Sequence, residues 1–72
     1  MDLSNKIGNL LREKRNNANL SLRAAASKVG KTKSTISYYE SGKIDIDVVM
    51  LEKLCKAYGT DMYSFIDEVK KR

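Results

Sequence analysis

Few side chains in this sequence have the type and spacing for bond-making chemistry. Asp45 and Asp47 stand two residues apart, an arrangement from which a general acid and a general base could be drawn. Asp47 also precedes an apolar helical stripe, where its carboxylate would cap the helix and suit the positive end of the helix dipole. No pocket is in prospect around the pair, so it is not read as catalytic. Cys55 is the single cysteine and falls on the buried stripe of a helix, which makes it a small buried thiol rather than a nucleophile. The sequence has no histidine, which excludes a histidine base and a histidine-ligated metal. One cysteine cannot form an internal disulfide or a cysteine-rich zinc site. Tyr58, Met62 and Phe65 have core spacing. No enzyme activity, cofactor or metal is therefore expected.

Hydroxyls and cations around residues 23–43 are suited to a different chemistry. Lys33 can donate to guanine acceptors or to a phosphate, and the hydroxyls of Ser34 and Ser37 can join either contact. Arg23 lies near a helix start, where free amides and a cation together suit a phosphate. The plain alternative is a solvated helix face. Charge distribution is more informative than the net +5. Residues 1–43 hold nine basic and three acidic side chains, and residues 44–69 hold two basic and six acidic ones. Lys70, Lys71 and Arg72 add a basic end. The total hints at a polyanionic partner, but the uneven distribution describes a surface of two electrostatic characters.

The elements that must position these groups are helices. Leu3, Ile7, Leu10 and Leu11 follow helical spacing, as do Leu22, Ala25, Ala26 and Val29. Val48, Leu51, Leu54, Cys55 and Tyr58 form another such stripe, and Met62, Phe65, Ile66 and Val69 a further one. Ile36 and Tyr39 make a short stripe of their own, leaving Lys33, Ser34, Ser37 and Tyr38 to face out. Ser21, Thr32, Asp47 and Asp61 are placed to cap helix starts, and Gly30, Gly42 and Gly59 follow helix ends. The spacing predicts five helices over about 3–17, 22–29, 33–41, 48–58 and 62–71. The alternation in Ile44-Asp45-Ile46-Asp47 is too short for a strand and reads as a loop. With short connections and 72 residues, the expectation is one compact all-α domain over 1–72. The longest apolar run, Val48-Val49-Met50-Leu51, is far too short for a membrane span or a signal-peptide core, so a cytoplasmic protein without a membrane partner is expected.

Two short helices separated by Gly30-Lys31-Thr32, with the small Ala26 at their crossing, make a helix-turn-helix pattern. The run from Leu20 to Lys43 resembles the Cro/CI-type (XRE-like) helix-turn-helix of phage repressors and their bacterial relatives. Ser34-Thr35-Ile36-Ser37, then Glu40 and Gly42-Lys43, is the most specific part. The likeness continues through Leu51–Gly59 to Phe65-Ile66. It implies a lambda-repressor-like five-helix DNA-binding fold, with helices two and three as the helix-turn-helix. It also implies base-edge contacts from Lys33, Ser34 and Tyr38, backbone contacts from Ser41 and Lys43, and a structural ion pair between Arg15 and Glu40.

The sequence departs from that pattern in several places. Leu22 stands where the family usually has a phosphate-positioning Gln, and Cys55 where it usually has Ala. The recognition helix carries no Arg, Asn or Gln, the side chains best suited to bidentate base reading. The following loop is apolar and acidic where the family usually has Pro and basic residues. Exposed Tyr, Leu and Ile suit a protein partner better than a phosphate backbone.

Two functions are expected from this. One is a Cro-like repressor, a homodimer reading double-stranded DNA at half-sites about 34 Å apart. The other follows from a resemblance of the whole chain to small phage antirepressors encoded beside a lysogeny repressor. There Tyr38, Ile44, Asp45, Ile46 and Asp47 would dock on the cognate phage repressor inside the host bacterial cell and occlude its DNA-binding cations.

Overall fold

Polar side chains start each helix, as seen in a computed structural model that describes residues 2–72. The helices are α1 (Leu3–Asn17), α2 (Leu22–Val29), α3 (Lys33–Ser41), α4 (Val48–Ala57) and α5 (Met62–Lys70). Asp2, Ser21, Thr32, Asp47 and Asp61 are the N-caps, each accepting from the backbone N–H three residues on. The Asp47 carboxylate takes the Met50 amide at 2.8 Å, and Asp61 takes the Ser64 amide at 2.8 Å. These bonds satisfy donors that the helix itself leaves free. The four caps expected from sequence are present, and Asp2 adds a fifth. The last two helices each end one residue earlier than the periodicity suggests, with Tyr58 and Lys71 as C-caps. Among the described residues there is no strand, so Ile44–Asp47 is loop.

Packing follows the apolar stripes. Leu10, Leu11, Ala26, Ile36, Leu54, Cys55 and Phe65 are buried in one cluster drawn from all five helices. Burying such side chains supplies roughly 1.5–3 kcal/mol each for the larger ones, the main term holding so short a chain together. The fourth stripe is corrected at its first position. Val48 is 67 % exposed, and Met50 is buried in its place. In the run Val48-Val49-Met50-Leu51 the apolar character fixes no phase by itself, and the first turn of α4 overhangs the core.

α3 is held mainly by α1, and by α2 on its other side, while α4 packs on α2 and α5 packs on α1 and α4. Gly8 makes the α1–α3 contact possible. A Cβ at that position would lie 2.5 Å from the Glu40 carbonyl oxygen and 2.6 Å from that of Tyr39. α3 ends at Gly42, whose φ of 76° is open to glycine at little cost. No helix among the described residues is long and apolar enough to cross a membrane.

Candidate functional site

The turn between α2 and α3 sets the exposed edge of the helix-turn-helix. Gly30 ends α2 in the left-handed conformation, and Thr32 starts α3 by accepting from the Thr35 amide at 3.2 Å. Lys33 and Ser34 therefore stand exposed in the first turn of α3, with Arg23 exposed in the first turn of α2. Ser21, Leu22, Arg23 and Lys33 line one shallow depression, so the structure brings these two cations to a common site at paired helix starts. The helix dipoles add positive potential there.

Further along α3 the character changes. Ser37 is half-buried, while Tyr38 is 44 % exposed and carries the Lys43 ammonium 5.6 Å from its ring centroid. That is cation–π range, and it ties the loop back to the helix. The Ser41 hydroxyl donates to the Tyr38 carbonyl at 3.3 Å, which spends its proton within the helix. Ile44 is 40 % exposed and Ile46 is half-buried. Asp45 is exposed and accepts from the Ser4 hydroxyl. Asp47 is exposed at the loop's end, but its carboxylate already serves as the α4 cap.

Behind this edge, Arg15 and Glu40 meet. Arg15 Nε donates to Glu40 Oε2 at 2.6 Å, and a second guanidinium nitrogen donates to Oε1 at 3.1 Å. The remaining arm donates to the Leu20 carbonyl at 2.8 Å, closing the α1–α2 turn. The Glu40 side chain is 3 % exposed, so the contact is a charge pair largely out of water. Its hydrogen bonds push the Arg15 guanidinium above its already high pKa. Arg12 adds a longer ion pair to the same carboxylate at 3.5 Å. The Tyr58 hydroxyl lies buried with no hydrogen-bond partner, and burial, aided by the Glu40 charge, raises its pKa to about 12.

Four features of this surface join residues that lie far apart along the sequence or carry no pattern in it. Arg12 joins Glu40, and Ser4 reaches across to Asp45. Leu3 and Ile7 of α1 border the loop, Ile7 also packing on the core, whereas Leu3, expected on the same buried stripe, is 63 % exposed. Lys28, Lys53 and Lys56 surround a shallow depression between α2 and α4, apart from the recognition helix. Only the i, i+4 spacing of Leu3 and Ile7 marks any of these along the chain, and it marks a helix stripe rather than its neighbours. Among the described residues, no group of acids and cysteine could hold a metal ion.

Residues 11–65 match the model of the helix-turn-helix family. The chain belongs to that family. It is 40 % identical over 55 residues to an HTH-type transcriptional regulatory protein of Pyrobaculum aerophilum. That match covers 76 % of this helix-turn-helix chain and 22 % of the relative, so the chain spans about a fifth of that protein's length. Two crystal structures of the clp gene regulator ClgR from Corynebacterium glutamicum have the same fold. They superpose with TM-scores of 0.92 and 0.93 at 22 % identity, over 99 % of this chain and 91 % and 76 % of theirs. The family is thus the helix-turn-helix family, and the fold is the one seen in the ClgR regulator.

Proposed function

We propose that this helix-turn-helix protein is a phage antirepressor. Its α3–α4 edge docks on the DNA-binding domain of a cognate lysogeny repressor and blocks operator binding. One observation carries the reading: α3 has no Arg, Asn or Gln, exposes Tyr38, and is followed after Gly42-Lys43 by the apolar and acidic segment Ile44–Asp47, of which Ile44, Asp45 and Asp47 are exposed. A polyanion is repelled by Asp45, whereas the cations of a repressor's reading surface are attracted by it. Tyr38 and Ile44 supply the apolar area that a protein interface needs at its centre. The sequence as a whole also resembles small phage antirepressors.

A second reading is favoured by the depression where Arg23 and Lys33 meet at two helix starts. There the protein is a Cro-like homodimer, with Lys33, Ser34 and Ser37 on base edges or phosphates and Lys43 on the backbone. In a mixed complex, DNA binding adds to the antirepressor role.

A mobility-shift assay with this protein, operator DNA and the neighbouring repressor separates the two. The expected result is that the protein releases the repressor from operator while shifting DNA weakly by itself. Tight binding to DNA alone, weakening steeply with salt and leaving the repressor in place, overturns the antirepressor reading in favour of the Cro-like one.

A further inference from the structure

Between the start of α1 and the loop after α3 runs a groove of about 270 Å³. Leu3 and Ile7 form one wall, and Ile44 and Ile46 the other. Asp45 stands at its rim with one carboxylate oxygen, Oδ1, held by the Ser4 hydroxyl. This bond crosses from α1 to the loop and fixes where the charge sits. None of the ion pairs among the described residues uses Asp45. Lys43, the nearest cation along the loop, is turned to the Tyr38 ring.

We propose that this groove is a receptor for a single basic side chain with an aliphatic stem, supplied by the partner protein. The stem lies on Leu3, Ile7 and Ile44, and the cationic head meets the free oxygen of Asp45. Long basic side chains divide in this way, covering apolar surface with their methylenes while the charge stays at the wet end. An apolar ligand alone would leave the carboxylate desolvated and unpaired, which is unfavourable. A phosphate or a nucleic-acid backbone would meet the acid directly and is repelled. Arginine fits better than lysine, because its guanidinium sheds water more readily and lies flat on an apolar wall. The proposal rests on the antirepressor reading for the identity of the partner, whose DNA-binding surface supplies such side chains, but not for the chemistry of the groove.

The groove is tested first without the repressor. The ¹⁵N-labelled protein is titrated at low salt with acetyl-glycyl-arginyl-glycine amide and with the same peptide carrying citrulline, which keeps the shape and loses the charge. Amide shifts are expected to centre on residues 3–7 and 44–46, with the citrulline peptide binding about fivefold more weakly. Asp45→Asn is expected to remove that preference while the helical circular dichroism stays unchanged. Shifts centred elsewhere, equal binding of the two peptides, or an arginine preference that survives Asp45→Asn would each overturn the proposal.

The repressor's DNA-binding domain is then added to the wild-type and Asp45→Asn proteins. Weaker binding by the variant supports the groove as the repressor's anchor, and equal binding removes it from that interface. If the repressor binds neither protein but the arginine peptide still occupies the groove, the antirepressor reading falls and the groove's chemistry stands.

Discussion

Glu40 is where a single side chain decides the most. Its carboxylate gathers Arg15 from close range and Arg12 from further off, and Arg15 in turn holds the Leu20 carbonyl. Removing the acid leaves a guanidinium in a largely enclosed place with one partner missing. Breaking a buried pair from one side costs more than the pair contributes as a whole. Glu40→Ala is therefore expected to destabilise by roughly 3 kcal/mol. Glu52→Ala, at an exposed position on α4, is expected to change stability by less than about 0.5 kcal/mol. Urea denaturation of both variants makes the comparison, and equal midpoints would remove Glu40 from this role. The Arg15–Glu40 contact is implied by the family resemblance alone, because nothing in the spacing of positions 15 and 40 brings them together. Arg12 and Ser4 are illegible for the same reason: their partners lie 28 and 41 positions away along the chain.

Elements were far more legible than contacts, and the reason is range. A cap is a bond between residues three apart, so Ser21, Thr32, Asp47 and Asp61 could be read directly from their neighbours. Helix ends drifted by one residue where the last turn loosens, at Tyr58 and Lys71. Phase failed in Val48-Val49-Met50-Leu51, where four apolar residues in succession give periodicity nothing to work on. The close approach of α1 and α3 leaves no trace in an apolar pattern either, since Gly8 contributes no side chain to one. Gly8→Ala tests that approach. Alanine ordinarily gains about 0.5–1 kcal/mol over glycine inside a helix. Here its Cβ would collide with two backbone carbonyls that cannot rotate away, and overpacking costs about 1–3 kcal/mol. The net expectation is a lower melting temperature, and a higher one would mean that the two helices can separate without loss.

Whole-molecule behaviour is set by how little interior there is. The pKa of the Cys55 thiol is raised by burial from 9.0 to about 11, and that of the Tyr58 hydroxyl from 10.0 to about 12. Both groups are neutral when protonated, and folding holds the proton more tightly than the unfolded chain does. Their contribution to stability is complete below pH 9 and is lost as pH rises through about 11 and then 12. The melting temperature is expected to be flat near neutrality and to fall above pH 9, with Cys55→Ala flattening the first part of that fall. The same burial makes Cys55 a reporter of opening. In the native protein its alkylation should be slow and should accelerate with urea in step with the loss of helical circular dichroism. Fast labelling at neutral pH without denaturant would show that this part of the core opens locally.

Gly8 and Arg15 sit on one helix, seven positions apart, and both address α3. Gly8 admits the carbonyls of Tyr39 and Glu40, and Arg15 grips the side chain of Glu40. Seven residues are almost two full turns, so the two grips share one side of α1. α1 thus works as a splint whose phase is fixed at both ends. One extra residue anywhere between them would swing everything downstream by about 100°, carrying Arg15 away from its carboxylate while Gly8 stayed in place. The recognition helix owes its bearing to this count from Gly8 to Arg15, a stretch of α1 that lies outside the contacts proposed for either function.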